Sequence, residues 1–202
     1  MSPVGPYYST GYKPVSLLAS TKDVRAWPGG TGAMKLGANY AGGVVPQLEA
    51  AELGYQQILW LFGPEDELTE VGMMNLFCIV QIDENSEHSS RPTRTSQQLT
   101  TPFAAVELCT PPLDGMILPG VTRDSVLALC RSHADPLTSH RIAGLPENLV
   151  VSERTIKMGE IVERSANGSL LEMFGTGTAA VVSAVERIGY QGVDVPDRKS
   201  VV

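Results

Sequence analysis

Basic charge, clustered cysteines and long hydrophobic runs are all scarce in this sequence of 202 residues. The formal net charge of −7 argues against a broad nucleic-acid-binding surface, because such surfaces are rich in lysine and arginine. No apolar run reaches the about 18 residues of a membrane span, so no membrane partner is expected. The first residues lack the basic and apolar regions of a secretory signal, and we expect an intracellular protein, either cytoplasmic or mitochondrial.

The three cysteines, Cys78, Cys109 and Cys130, are odd in number, widely spaced and without a C-x-x-C pair. A disulfide framework needs paired cysteines in an oxidising compartment, and a structural zinc site needs closely spaced ligands. We therefore predict reduced, partly buried thiols and no metal site.

The distribution of apolar residues predicts one mixed α/β domain with a sizeable core. Strand and helix patterns follow one another without regular βαβ alternation. The polar stretches 83–105 and 132–147 are predicted to be mobile excursions, and the strands at 57–62 and 75–80 to form a hairpin-like pair. The other predicted strands are 15–19, 106–110 and much of 170–188, and the predicted helices are 42–53, a helix from Thr122 with Val126, Leu127, Leu129 and Cys130 on its apolar side, and 156–164.

Lys35 is the first candidate for chemistry. It lies in a turn of small residues, with Gly32, Gly37 and Ala38 nearby and Tyr40 five residues on. A lysine amine can form an imine with an aldehyde cofactor and later act as a general base. The small neighbours would let a bulky cofactor approach the backbone. The alternative for Lys35 is a solvated surface lysine.

Glu70 is a candidate partner for such a cofactor. A pyridoxal phosphate (PLP) ring needs an anion or another tuned group at its pyridine nitrogen, since a carboxylate keeps that nitrogen protonated. The helix start at Gly120–Thr122 and the turn at Gly175–Ala179 offer backbone N–H groups to a phosphate or a carboxylate. The alternatives are a solvated strand-entry glutamate for Glu70 and an ordinary cap or turn for the other two.

Several motifs, in this order, resemble the branched-chain amino acid aminotransferases, which are class IV (fold-type IV) PLP enzymes. The resemblance covers most of the chain outside the two excursions and the last dozen residues, and the second excursion is most similar to fungal members. It implies the large C-terminal domain of these enzymes, in which mixed sheets form a pseudo-barrel with flanking helices. The matching segments are Arg25–Trp27, Lys35–Tyr40, Leu59–Gly63, Thr69–Gly72, Met74–Phe77, Thr110–Gly115, Ile117–Arg123 and Glu172–Ala179.

The resemblance also implies a role for each candidate residue. Lys35 would hold the cofactor as an internal aldimine, Tyr40 would donate to its phenolic oxygen, and Glu70 would face its pyridine nitrogen. The phosphate and the surroundings of the ring would involve Arg25, Leu118, Gly120, Val121, Thr122, Gly177 and Thr178. The substrate would contact Thr178, Ala179 and Met73.

The implied reaction transfers an amino group between leucine, isoleucine or valine and 2-oxoglutarate, because an apolar pocket discriminates by size. Family members are commonly homodimers, and a homodimer is expected for a full-length protein. One alternative is another fold-type IV activity, such as a D-amino acid aminotransferase or a lyase. Others are a transaminase of a biosynthetic (secondary metabolite) pathway and a non-catalytic fragment or paralogue of the family.

Some features depart from the family pattern. A small N-terminal domain and a closing C-terminal helix are missing, so we expect residues 1–202 to be a single PLP-binding large domain truncated at both ends. The stretch 83–105 replaces a short turn, either as a real insertion or as a gene-model artefact. Met73 stands where many relatives have threonine. Ala180 and Ser183 stand where some animal relatives have a redox C-x-x-C, so thiol regulation of that kind is not expected.

Overall fold

The computed structural model describes residues 13–82 and 105–197, which contain nine strands and four helices. The strands are β1 (Val15–Ser20), β2 (Gln57–Phe62), β3 (Glu67–Val71), β4 (Met74–Gln81), β5 (Val106–Thr110), β6 (Leu149–Glu153), β7 (Leu170–Gly177), β8 (Val181–Tyr190) and β9 (Val193–Pro196). The helices are α1 (Gly37–Ala41), α2 (Val44–Glu52), α3 (Val121–Ala134) and α4 (Met158–Asn167). Within the described ranges, no helix combines the length and the apolar content needed to cross a membrane.

Six of the strands close into a ring. The order β3-β2-β1-β8-β7-β4 returns to β3 through the β3–β4 hairpin. Strand β1 runs parallel to β2 and β8, whereas the other pairs of the ring are antiparallel. Strands β5 and β6 extend the sheet beyond β4, and β9 pairs with β8. The mixed α/β pseudo-barrel with flanking helices that the resemblance implies is therefore confirmed.

Alternate side chains of each strand point to the same face of the sheet. Those that face the interior of the ring are apolar. Leu17, Leu59, Leu76 and Met173 belong to this core and are fully buried, together with Ile161 of α4. Removing this much apolar surface from water is the main stabilising contribution to such a fold. The ring is thus a packed core, and any site has to lie at its ends or on its outer face.

Helix α3 packs on the outer face of the sheet, chiefly against β6 and β7 and through its apolar side chains also against β4 and β5. Leu127 of α3 packs in a second cluster with Phe77 and Phe174, whose rings stack with centroids 5.2 Å apart. Since Asn75 and Phe77 lie two residues apart on β4, they share this outer face. Gly120, the residue before α3, lies against the Asn75 side chain, so the first turn of α3 is at the end of the sheet where β4 begins.

Most predicted elements are confirmed to within a few residues, and α2 and α4 end next to Gly54 and Gly168, which both have φ of 83°. The predicted pairing of 57–62 with 75–80 is wrong, because β3 lies between them and pairs with both. That strand escaped notice because its polar residues Thr69 and Glu70 look solvent-exposed in the sequence, yet both are buried.

Two further predictions were wrong or incomplete. Leu129 is 51% exposed and does not belong to the apolar side of α3, since it points away from Leu127 and the sheet. The stretch 132–147 begins inside α3, and β6 directly after it was not predicted. The predicted mobility of 132–147 stays a prediction. Residues 83–104 of the first excursion lie outside the described residues.

Leu127→Ala and Leu129→Ala test the orientation of α3. We expect Leu127→Ala to lower the free energy of unfolding by about 2–5 kcal/mol, because it leaves a cavity against the sheet. The matched change Leu129→Ala should cost about 0.5 kcal/mol or less, because that side chain is half exposed. Urea denaturation of both variants measures the difference. Equal losses at the two positions would contradict the described packing.

Candidate active site

A row of polar side chains crosses three adjacent strands where the ring closes. Glu70 on β3 is directly opposite Asn75 on β4, and Asn75 is directly opposite Thr176 on β7. Directly opposed residues share one face of a sheet, so the three side chains form one row. They are 2%, 5% and 1% exposed. A row of three buried polar side chains on adjacent strands marks this end of the barrel as a candidate site.

The carboxylate of Glu70 is held by donors from three parts of the chain. The backbone N–H of Leu118 donates to Glu70 Oε1 at 2.8 Å, and Asn75 Nδ2 donates to the same oxygen at 3.3 Å. Arg25 Nε lies 2.8 Å from Oε2, with both side chains almost fully buried. Hydrogen bonds to an ionised group are among the stronger ones in proteins, so this carboxylate fixes three segments relative to one another.

Burial raises the pKa of Glu70 from its usual 4.5 to about 7. The positive charge of Arg25, the N–H of Leu118 and the charge of Lys35 all oppose this rise. The group therefore lies close to the balance between its two protonation states at neutral pH. A further cation beside it would favour the ionised form.

The guanidinium of Arg25 connects Glu70 to two loops. Besides its contact with Glu70, Arg25 Nη1 donates to the carbonyl of Met116 at 3.0 Å and, more weakly, to that of Gly32. The sequence prediction places Arg25 near the cofactor phosphate and Glu70 at the opposite end of the ring. The contacts described here instead bring Arg25 to the carboxylate. A phosphate role for Arg25 stays a prediction.

Lys35 lies in the loop before α1, and its side chain is exposed. Its charge acts on the pKa of Glu70, so the two candidates share one electrostatic environment. The loop is shaped by Asn39, whose Nδ2 donates to the carbonyls of Thr31 and Met34 at 2.7 Å each. Asn39 was not identified as a site residue from the sequence, although asparagine commonly folds back onto nearby backbone in turns.

A cavity of about 280 Å³ lies beside this row. Three predicted site residues, Arg25, Tyr40 and Met73, contribute to its wall. Trp60 also lines it, and its Nε1 donates to the carbonyl of Gly72 at 3.0 Å, which fixes the β3–β4 turn next to Met73. Trp60 was interpreted from the sequence only as a buried strand residue, since a tryptophan carries no chemical motif of its own.

The N-terminus of α3 lies next to the polar row, because Gly120 approaches the Asn75 side chain. Gly120 is the residue before the first turn, and no side chain of residues 13–82 or 105–197 caps that turn, so its N–H groups suit an anion. Val121 is 79% exposed and Thr122 half-buried. Buried Arg123 anchors the turn, because its Nη2 donates to the carbonyl of Pro111 at 2.9 Å and to Glu153 at 2.7 Å.

The turn between β7 and β8 reaches the same end of the sheet. Gly177 is half-buried, and Thr178 and Ala179 are exposed on this turn. Just before it, the buried hydroxyl of Thr176 has no hydrogen-bond partner among the described residues. Buried polar groups are nearly always paired, so an unpaired hydroxyl here is consistent with a site that takes a polar ligand. Thr176 was not predicted as a site residue from the sequence, because the prediction for this motif named Thr178 instead.

Comparison with known families identifies the family of this fold. The model of the amino-transferase class IV family matches residues 5–188. The chain belongs to this family.

Two curated relatives in this family come from fungi. The chain is 50% identical over 193 residues to the mitochondrial branched-chain-amino-acid aminotransferase of Schizosaccharomyces pombe. The match covers 96% of this chain and 38% of that protein. It is 48% identical over 193 residues to the cytosolic enzyme of the same name from Saccharomyces cerevisiae, and this match covers 96% of this chain and 44% of that protein. The chain thus spans about two fifths of the length of these relatives.

Solved structures share the fold at low sequence identity. The branched-chain amino acid aminotransferase of Escherichia coli superposes with a TM-score of 0.62 at 22% identity, covering 97% of this chain and 50% of that one. The branched-chain aminotransferase from Thermoproteus uzoniensis with norvaline superposes with a TM-score of 0.63 at 22% identity, covering 98% of this chain and 50% of that one. The PLP form of the branched-chain amino acid aminotransferase from Thermobaculum terrenum superposes with a TM-score of 0.53 at 21% identity, covering 94% of this chain and 48% of that one. These likenesses support the class IV aminotransferase fold.

In this family member, all the segments predicted to carry site residues meet at one end of the barrel. Glu70, Leu118 and Gly120 lie within one connected group, Tyr40 and Met73 line the adjoining cavity, and Lys35 is in electrostatic range. Their roles stay predictions. Asn75, Thr176, Asn39 and Trp60 are the residues that sequence reasoning missed.

Glu70→Gln tests the burial of this carboxylate. The folded protein keeps the proton of Glu70 up to a pH of about 7, whereas an ordinary carboxyl loses it near 4.5. The stability of the parent should therefore fall, relative to Glu70→Gln, as the pH rises between these two values. Denaturation curves at several pH values measure the difference. Glu52→Gln, at an exposed position, is the control for removal of a carboxylate, and a pH-independent difference between parent and Glu70→Gln would contradict the description.

Proposed function

We propose that this chain carries the cofactor-binding part of a PLP-dependent aminotransferase that acts on branched-chain amino acids and 2-oxoglutarate. The observation that carries the proposal is the buried carboxylate of Glu70 beside the loop of Lys35, in a chain of the class IV aminotransferase family. The alternative of a non-catalytic fragment has no specific observation in its favour.

The chemistry of the described residues supports PLP binding at its ring nitrogen and its phosphate. A protonated ring nitrogen would offset the effect of burial on the pKa of Glu70, since a neighbouring cation favours a carboxylate. The uncapped first turn of α3 suits a phosphate, and the unpaired hydroxyl of Thr176 lies in the same row as Glu70. When bound, PLP supplies an electron sink that stabilises negative charge at the substrate Cα.

Each predicted residue then has a defined task. Lys35 would carry the cofactor on its amine and afterwards hold or move the proton at the substrate Cα. Glu70 would keep the ring nitrogen protonated, and Tyr40 would donate to the phenolic oxygen of the ring. Arg25, as its contacts support, would help to hold Glu70 as well as serving the phosphate. The remaining predicted contacts to cofactor and substrate are Leu118, Gly120, Val121, Thr122, Gly177, Thr178, Ala179 and Met73.

The cavity supports an aliphatic substrate side chain. Its wall includes Ile58, Trp60, Val44 and Met73, which are apolar, and its volume of about 280 Å³ exceeds that of a leucine side chain. The rest of the wall is polar and includes Arg25, Asn39 and Gln57, so its apolar side would select an aliphatic group by size. The names of the fungal relatives, branched-chain-amino-acid aminotransferases, agree with that choice.

We further propose that the full-length protein is a homodimer of the cytosol or the mitochondrion, in keeping with the two compartments named for its fungal relatives. Because the chain spans about two fifths of those relatives, the primary test is cofactor capture rather than sustained turnover.

PLP capture at Lys35 is the first test. Protein incubated with PLP and reduced with borohydride should carry the cofactor on Lys35, as peptide mass spectrometry would show. Lys35→Ala should lose the label, whereas Lys22→Ala, a surface lysine paired with Glu49, should keep it. Equal labelling of several lysines, with Lys35 not preferred, would contradict the proposal.

L-leucine then separates the proposed reaction from its alternatives. Added to the PLP-loaded protein, it should give about one equivalent of its 2-oxo acid, because a single half-reaction needs no second substrate. D-alanine serves as the control for a D-amino acid aminotransferase. Labelling of Lys35 without any 2-oxo acid would favour a non-catalytic family member, and a faster reaction with D-alanine would favour the other fold-type IV activity.

A further inference from the structure

Asn75 takes part in a closed group of three hydrogen bonds. Its Nδ2 donates to the carbonyl of Leu118 at 2.8 Å and to Glu70 Oε1 at 3.3 Å, and the N–H of Leu118 donates to that same Glu70 oxygen at 2.8 Å. The side chain is 5% exposed. Asn75 therefore uses one amide group to hold both a carboxylate on β3 and the backbone of the loop before α3.

The loop before α3 also rests directly on Asn75. A Cβ added to Gly120 would overlap Asn75 Oδ1, so the backbone at Gly120 approaches the amide more closely than any side chain would allow. Helix α3 begins at the next residue, Val121. Besides the direct bond from the N–H of Leu118 to Glu70, Asn75 is thus a side chain that contacts both Glu70 and the residue before α3.

We propose that Asn75 is a positioning residue, which fixes the distance between the carboxylate of Glu70 and the N-terminus of α3. The inference rests on the proposed function, in which these two groups hold opposite ends of one ligand. A rigid ligand that uses both ends needs the two groups at a fixed separation. A ligand that uses only the ring end does not.

The asymmetry of the contacts makes the inference testable. Without Asn75, Glu70 keeps Arg25 at 2.8 Å, so the ring end stays largely formed. The carbonyl of Leu118 loses its donor, and the loop at Gly120 loses its support. The phosphate end should therefore suffer more than the ring end.

The experiment compares PLP with pyridoxal, which lacks the phosphate, in the parent and in Asn75→Ala. We expect the affinity for PLP to fall about tenfold, as the loss of a buried hydrogen bond commonly gives, and the affinity for pyridoxal to fall by less than about threefold. Absorbance titration measures both dissociation constants. Asn75→Leu keeps about the size of the side chain, has no Nδ2 donor and adds no charge beside Glu70, and the same selective loss is expected should the alanine variant fold poorly.

Thr110→Val is the matched control. Thr110 Oγ1 is buried and donates to the carbonyl of Leu76 at 2.6 Å, one residue from Asn75, and no hydrogen bond described in the structure joins this hydroxyl to Leu118 or Gly120. This variant should lose stability and keep the ratio of PLP to pyridoxal affinity. Equal weakening of both ligands in Asn75→Ala, or the same change of ratio in Thr110→Val, would overturn the inference and leave Asn75 a structural residue.

Amide hydrogen exchange in the cofactor-free protein separates this inference from the proposed function. The N–H of Leu118 should exchange about tenfold faster in Asn75→Ala and Asn75→Leu than in Thr110→Val, because its residue loses the donor that holds its carbonyl in place. Failure of the parent to bind PLP would overturn the proposed function. Unchanged exchange at Leu118 would overturn the positioning role whatever the ligand does.

Discussion

The carboxyl group of Glu70 can be buried, and can still ionise near neutral pH, only because three segments of the chain supply donors to it. An unpaired charge in such a place would cost several kcal/mol, which is enough to unfold many domains. Arg25 arrives from the loop after β1, Leu118 from the loop before α3, and Asn75 from the neighbouring strand. The same side chain therefore specifies how these segments assemble and prepares the group on which the proposed chemistry depends.

Closure of the sheet explains why this group lies where it does. The β3–β4 hairpin closes the ring and brings Glu70 opposite Asn75, and the β4–β7 pairing adds Thr176 to the row. The inner face of the same strands is packed with apolar side chains, so the row cannot shift without disturbing the core. A site built on strands in this way holds its groups more rigidly than one built on loops, which suits a cofactor with three separate points of attachment.

The motifs of the sequence were enough for the barrel, the family and the segments that meet at the site. The hairpin partner β3 escaped prediction because Thr69 and Glu70 are polar, and burial of polar residues depends on distant partners that periodicity does not reveal. Asn75 escaped for the same reason, since its three partners lie up to 45 residues away along the chain. Leu129 was misplaced because an apolar residue on a helix is not necessarily on the packed side. Contacts made by tertiary structure, rather than local propensity, decided each of these cases.

The most direct test of the account is the protonation state of the ring nitrogen of bound PLP. Nitrogen-15 NMR of the protein loaded with labelled PLP reports it, with Glu70→Gln as the comparison. The account predicts a protonated ring nitrogen in the parent, because the carboxylate of Glu70 is held to face it, and loss of that proton in the variant. A ring nitrogen that is unprotonated in the parent, or unchanged in the variant, would contradict the central role given to Glu70.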